Sequence, residues 1–276
     1  LLLLFFLQAV IEDVPLKQDI FRELEKVCSS CCILATNTST IDLNVNGEKT
    51  NSQNRIIGAH FFSPANITPL LEIIRTDKTS PQVILDLLTV GKIIKKVPIV
   101  VRNCTGFAVN RTFFPYMQAP QLLVHLGVDL FRVDRAIRNF GFPLGPFRLQ
   151  DLGGYRIENA TLKQYEIAYP DRIFTSPLTD LMLKDGRNEQ KTHYIFPISV
   201  TDKEITEMVL FPTINEAYRV LDEGVIARAS DLDVASVLGM SFPSYRGGIM
   251  FCADTVGPTI EIFGRKCHER LTTSKN

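Results

Sequence analysis

The 276-residue sequence contains no Gly-x-Gly-x-x-Gly run; its glycine pairs, Gly153-Gly154 and Gly247-Gly248, neither follow a strand pattern nor open a helix. A glycine turn of that kind lets backbone N–H groups approach a pyrophosphate at a helix N-terminus. Net charge is missing too. Thirty Lys and Arg balance thirty Asp and Glu, which removes any electrostatic case for nucleic acid or an anionic membrane. The apolar run Leu1–Leu7 is too short to span a bilayer and has no basic region ahead of it. The six cysteines (Cys28, Cys31, Cys32, Cys104, Cys252 and Cys267) show no framework spacing, and a reducing compartment fits them. Cys28-x-x-Cys31-Cys32 reads as a metal half-site or as helix-end and buried-strand thiols; no second Cys/His pair with ligand spacing accompanies it. The chain does not open on methionine. Its leading Leu/Phe run reads either as a buried strand or as the translated end of an intron, and the transcript separates the two.

What is present begins as an alternation. Residues 2–11 predict a strand, Leu16, Ile20, Leu24 and Val27 recur at helical spacing, and Cys32–Thr36 is a short apolar strand. Strand, helix, strand is a parallel crossover, and ligands sit at the carboxyl ends of such strands. Thr40–Asn54 is polar and reads as helix or loop. Ile56–Ala59 and Leu70–Ile74 are strands. Ser80 followed by Pro81 marks a helix start, Val83, Leu87, Val90 and Ile94 line one helical face, and Val97–Val101 is a last strand. The pattern is that of a doubly wound α/β sheet. From Gly106 onward the chain turns helical, with Asn110, Phe114, Met117, Gln121 and Val124 on one face and a turn-rich loop over Gly141–Phe147.

The chemistry concentrates between Arg55 and Arg75. His60 ends one β-branched run and Glu72 sits inside another, twelve residues on. An ionised Glu in a buried strand is costly unless paired, and His60 is the nearest candidate. A carboxylate beside an imidazole fixes its tautomer and stabilises the imidazolium, so the pair can act as a general base. A buried histidine satisfied by a structural glutamate is the competing reading.

Ala59-His60-Phe61-Phe62-Ser63-Pro64 with Glu72 resembles the signature of the 3-hydroxyacyl-CoA dehydrogenase family. Two further marks fall in register: Asn37-Thr38-Ser39, with Ser39 twenty-one residues before His60, and Thr105–Arg111, with Asn110 fifty residues after it. The wording is most similar to the multifunctional enzymes of peroxisomal fatty-acid β-oxidation, especially the plant type, from about Ala9 to about Pro258. The resemblance implies an α/β then all-α fold: a partial Rossmann-like sheet over 1–102 lacking its glycine-turn half, a first helical domain over 103–201 with a shortened linker, and a second, degenerate one over 202–276. It implies NAD-dependent oxidation of (S)-3-hydroxyacyl-CoA to 3-oxoacyl-CoA, with His60 as base, Glu72 orienting it, and Ser39 and Asn110 holding substrate oxygens. It implies NAD contacts at Ala9, Glu12, Lys17, Asn37 and Ser39. On pattern alone Glu12 and Lys17 read as a solvated helix start. Asn110 reads either as a helix-packing hydrogen-bonder or as a substrate contact. Gln8 stands where many relatives carry Glu, and Cys252 where they carry Trp.

A weak repeat runs through the helical part. Pro115 precedes Gly127 by twelve residues, then come Asp134 and Gly141; Pro212 precedes Gly224 by twelve, then come Asp233 and Gly239. In the family two such units pack together within one chain, so intrachain pairing is expected. The family also implies a peroxisomal location, although Ser274-Lys275-Asn276 misses the Ser-Lys-Leu address by its last residue. Three readings follow: a dehydrogenase, inactive as this chain alone; a non-catalytic remnant keeping the helical domains; or an acyl-CoA binder without turnover. No membrane span and no nucleic-acid partner are expected.

Overall fold

The computed structural model describes residues 5–153, 155–174 and 198–256. The expected features at Leu1–Leu4, in linker residues 175–197, at Cys267 and at Ser274–Asn276 lie outside them. Two compact units form: Leu1–Arg111 with Val220–Met240, and Thr112–Arg219 with Ser241–Asn276.

The first unit is built on one sheet. Strands β1 (Phe5–Gln8), β2 (Ile33–Thr36), β3 (Ile56–Phe61), β4 (Leu70–Arg75) and β5 (Val97–Arg102) lie side by side in sequence order. The β1–β2, β2–β3 and β4–β5 pairs are parallel, and β3–β4 is antiparallel. Helix α1 (Val14–Val27) joins the first two strands and α3 (Pro81–Ile93) the last two; α2 (Leu43–Asn46) is a single turn. Strand β1 is shorter than the expected 2–11 at its carboxyl end. Its ladder stops at Gln8 opposite Thr36, where β2 itself ends, so Ala9, Val10 and Ile11 leave the sheet exposed.

Both faces of the sheet are covered, which is why its strands read as unbroken apolar runs. Ile33, Ala35, Ile57, Ala59, Leu71 and Ile73 pack with Val83 and Leu87 of α3. The alternate residues Leu34 and Ile56 pack with Phe21 of α1. Side chains alternate along a strand, so His60, in step with Ile56 and Gly58, lies on the face away from α3. Gly58 is needed there: a Cβ would meet Ile74 Cβ at 2.8 Å.

Helix starts follow local rules where the cap is local. Asp13 accepts from Leu16 N–H at the head of α1, and Ser80 from Val83 N–H at the head of α3. The chain then runs into α4 (Val109–His125), α5 (Leu130–Phe140), α6 (Pro146–Gly153), α7 (Tyr155–Ala168), α8 (Asp202–Asp222), α9 (Ala229–Gly239) and α10 (Ile249–Val256). Two of the unit boundaries fall inside α4 and α8, and the third follows α9, after Met240. The segment after Gly224 stays with the sheet because Arg102 N–H donates to Val225 O and Ile226 bridges Val101. The loop expected over Gly141–Phe147 is shorter than that reading, because a helix begins at Pro146. Its cap comes from another helix: Asp134 of α5 accepts Phe147 N–H at 2.9 Å and Arg148 N–H at 3.3 Å.

In the second unit Phe140, Phe142 and Tyr116 stack, and Phe242 meets Phe140 and Phe142 edge-on. Arg246 lies 3.9 Å over the Phe140 ring, and both its Nε and the Tyr245 hydroxyl donate to Phe140 O. Among the described residues no helix is long and apolar enough to cross a membrane.

Candidate active site

Register brings the central pair together. His60 and Glu72 are directly opposite in the antiparallel β3–β4 ladder, and opposed residues share a face with Cβ atoms about 5 Å apart. His60 Nδ1 lies 2.7 Å from Glu72 Oε2. A carboxylate only accepts, so the Nδ1 proton points at Glu72 and Nε2 carries the free lone pair. The ring stands between Phe62, at 4.4 Å, and Phe107, at 5.8 Å between centroids.

Glu72 is wholly buried, and its second oxygen has partners that the strand pattern did not reveal. Oε1 accepts Val109 N–H at 3.0 Å and Ala108 N–H at 3.2 Å. These are orphan donors at the head of α4, so Glu72 caps that helix from across the sheet and lies in the favourable end of its dipole. The turn that aims them runs through Gly106 (φ 76°) and Phe107 (φ 53°), two successive left-handed residues. Cys104, in the same turn, donates from its thiol to Phe107 O. Burial pushes that thiol up to about 11, so it stays protonated beside the pair.

The carboxyl ends of β1 and β2 supply a second cluster. Glu12 Oε1 accepts Ser39 N–H at 2.7 Å and the Ser39 hydroxyl at 3.2 Å, and its carboxylate also takes the Thr38 hydroxyl. Lys17 is fully buried; its ammonium meets Val10 O at 3.3 Å and Glu12 Oε2 at 3.5 Å. Gln8 ties this corner down, donating to Lys17 O and accepting the Thr36 hydroxyl. Asn37 accepts Phe61 N–H at 2.9 Å, which links the β2 end to the His60 strand. Asn110 donates to Ser39 O at 3.4 Å. Hydrogen bonds thus join Glu12 to Ser39 and Ser39 to Asn110, and β3 joins Asn37 to His60. Ala9 is an exposed neighbour of the cluster rather than a bonded member, and Lys17 reaches the surface only through Glu12. Thr38, Phe107 and the α4 N–H groups were not legible as site residues. Nor was Lys96, which pins the loop between the paired strands by donating to Ala65 O and Thr68 O; nothing in its Lys-Lys context signals that task.

The model of the family described as 3-hydroxyacyl-CoA dehydrogenase, NAD binding domain, matches residues 4–104. That described as 3-hydroxyacyl-CoA dehydrogenase, C-terminal domain, matches residues 106–196. This chain belongs to the 3-hydroxyacyl-CoA dehydrogenase family. It is 61% identical over 285 residues to the peroxisomal fatty acid beta-oxidation multifunctional protein AIM1 of Arabidopsis thaliana, covering 91% of this chain and 40% of that protein. It therefore spans about two fifths of the length of the curated relatives it matches. Among solved structures it is similar to the dehydrogenase part of multifunctional enzyme 1 from C. elegans, at 30% identity and TM-score 0.58, over 87% of this chain and 61% of that one. The 3-hydroxybutyryl-CoA dehydrogenase of Escherichia coli K12 shares the fold, with TM-score 0.79 at 20% identity, over 93% and 75%.

The NAD expected of this family domain can be tested against the residues present. Ala9, Glu12, Asn37 and Ser39 lie at the carboxyl ends of β1 and β2, where small and polar groups leave room for part of a dinucleotide. The pyrophosphate has no counterpart among the described residues.

Proposed function

We propose that this chain carries the acid–base half of a 3-hydroxyacyl-CoA dehydrogenase, oxidising (S)-3-hydroxyacyl-CoA to 3-oxoacyl-CoA in peroxisomal fatty-acid β-oxidation. Bound NAD supplies the acceptor for the hydride that leaves C3. His60 takes the hydroxyl proton at Nε2 as that hydride departs, and Glu72 holds the ring in this tautomer and stabilises the imidazolium. Ser39 and Asn110 position the substrate oxygens. Ala9, Glu12, Asn37 and Ser39 would hold the edge of a bound NAD, with Lys17 acting through Glu12. The observation that carries this reading is the Glu72 carboxylate, shared between His60 Nδ1 and the head of α4. We place the domain limits at 1–102, 103–201 and 202–276; two family matches that meet near residue 105 support the first limit. Pairing of the helical units within one chain is supported by the Tyr245 and Arg246 bonds to Phe140 O. Relatives named as peroxisomal or glyoxysomal support a peroxisomal location.

The missing Gly-x-Gly-x-x-Gly turn favours a second reading, a non-catalytic remnant. Only a cofactor held in line with C3 can react, so the chain alone is expected to show neither saturable micromolar NADH binding nor acetoacetyl-CoA reduction. A chimera placing it behind the preceding segment of the Arabidopsis relative separates the readings. Turnover there, abolished by His60→Gln with NADH affinity retained, is the expected result. A folded chimera that binds NADH yet gives no turnover refutes the acid–base assignment.

A further inference from the structure

Away from the cleft, three thiols crowd the corner between α1 and β2. Cys28 is the C-cap of α1, its N–H bonded to Leu24 O at 2.8 Å. Cys32 is buried beside β2, Cys31 is exposed, and all three are free. The chain turns back sharply between them, with Cys32 N–H donating to Ser29 O at 3.0 Å. Arg55, just ahead of β3, clamps that turn: one guanidinium nitrogen donates to both Ser29 O, at 2.8 Å, and Cys32 O, at 3.1 Å. Cys28 and Cys32 point into the same apolar cluster as Phe21, Leu24, Leu34 and Ile56. Cys31 points outward, with Sγ 3.2 Å from the Ser29 hydroxyl.

Cys28 and Cys32 therefore share one apolar cluster, where the Cys32 thiol also donates to Ile33 O at 3.7 Å, while the exposed Cys31 turns away from it. Among the described residues no group of three Cys, His, Asp or Glu is arranged to hold a metal ion. From this arrangement we propose that Cys28 and Cys32 form a dithiol that closes to a disulfide when a low-molecular-weight disulfide such as oxidised glutathione is in excess. Burial raises the Cys32 thiol first, and its hydrogen bond with Cys28 raises it further, while the neighbouring Arg55 charge works the other way. The half-buried Cys28 is accordingly the entry point. Its thiolate attacks one sulfur of the oxidant, whose S–S bond breaks, and one thiol leaves with the proton that Cys28 released. Cys32, deprotonated beside the Arg55 cation, then attacks the Cys28 sulfur and expels the second thiol. Two protein thiols are oxidised to one disulfide, and one small disulfide is reduced to two thiols. The bridge ties the end of α1 to the foot of β2, the strand whose other end leads to Asn37–Ser39.

The full chain, reduced and desalted, is incubated in glutathione mixtures of rising oxidised fraction. Remaining thiols are then alkylated, and the tryptic peptide Val27–Lys49 is sequenced by tandem mass spectrometry. The expected product has lost alkylation at Cys28 and Cys32 together, without added glutathione, and keeps an alkylated Cys31. Cys31→Ser leaves this unchanged, whereas Cys32→Ser traps a mixed disulfide at Cys28, and Cys28→Ser leaves the buried Cys32 free to be alkylated once the chain is unfolded. A bridge that includes Cys31, glutathione on Cys31 alone, or three thiols unchanged in the most oxidising mixture each overturns the proposal. Mapping on the unsubstituted chain makes the assignment independent of whether any variant folds.

Discussion

Replacing Glu72 by Gln keeps the volume and removes the charge, which makes it the most direct probe of the site. The carboxylate serves donors on both sides: His60 Nδ1 at 2.7 Å, and Val109 and Ala108 N–H at 3.0 and 3.2 Å. An amide has one accepting end and one donating end, so one side must change. If the oxygen keeps the helix, the NH2 group faces Nδ1, which must surrender its proton, and the imidazole tautomer inverts. If the oxygen keeps His60, the NH2 group opposes two backbone N–H groups in a site without solvent, an unsatisfied arrangement costing ~1–3 kcal/mol. The first is cheaper. Even so it exchanges charge-assisted bonds of ~1.5–3 kcal/mol each for neutral ones of ~1, and forfeits ~0.3–2 kcal/mol of attraction to the helix end. Glu72→Gln should therefore cost about 2–3 kcal/mol in urea denaturation, and Glu72→Ala about 3–5, because it strands all the donors at once. A double-mutant cycle with His60→Leu should return a coupling of at least ~1 kcal/mol. Nitrogen NMR of the imidazole supplies the independent readout: the proton sits on Nδ1 in the parent and on Nε2 in Glu72→Gln. A variant within ~0.5 kcal/mol of the parent, or an unchanged tautomer, refutes the shared-carboxylate argument.

Two further outcomes test the surroundings. Burial holds the Cys104 thiol at about 11, above its ordinary 9.0. Because the folded value is the higher one, its contribution to stability is complete below the ordinary thiol value and is lost as pH rises through about 11. The stability gap between the parent and Cys104→Ala should narrow over that alkaline range in urea titrations, and a gap independent of pH counts against it. Arg246→Ala should cost about 1–3 kcal/mol through lost stacking on Phe140 and the lost bond to its carbonyl. Arg246→Lys should recover little of this, since an ammonium cannot reproduce the planar fork; full recovery would show that charge alone matters there.

What could be read from the sequence follows the range of the interaction that fixes each feature. Ser80-Pro81 marked the head of α3 because cap and capped residue are three positions apart. The runs at Ile56 and Leu70 marked β3 and β4 because burial on both faces writes itself into every position. The twelve-residue intervals from Pro115 to Gly127 and from Pro212 to Gly224 reflect the same local event twice. Gly127 and Gly224 have positive φ, and Val128 and Val225 each donate back five residues, to Leu123 O and Val220 O. The head of α6 was illegible for the opposite reason: its cap, Asp134, lies on α5, twelve positions before Pro146. The environment of Glu72 was half legible. His60 stands across one ladder and could be anticipated from spacing, whereas the α4 N–H groups are brought in by a turn more than thirty residues later. Lys17 shows the cost of reading charge as exposure. A lysine at a helix start suggests solvent, yet this one is sealed over by the Gln8–Thr36 corner and the Glu12 carboxylate.

The His60–Glu72 pair proposed as acid and base and the cluster proposed to border the cofactor depend on different parts of the chain. His60 and Glu72 are fixed by the β3–β4 register and the head of α4, all within Ile56–Val109. Glu12, Lys17 and Ser39 are fixed by the ends of β1 and β2. The two sets touch through Asn37, which accepts Phe61 N–H, and through Asn110, which reaches Ser39 O. Disturbing the Glu12–Ser39 contacts therefore need not disturb the tautomer that Glu72 imposes. Conversely, Glu72→Gln should invert that tautomer while leaving the Glu12–Ser39 contacts in place. Removing Asn37 acts on both at once, because its side chain extends the contact between the β2 end and the strand carrying His60 beyond the last ladder pair, Thr36 and Gly58.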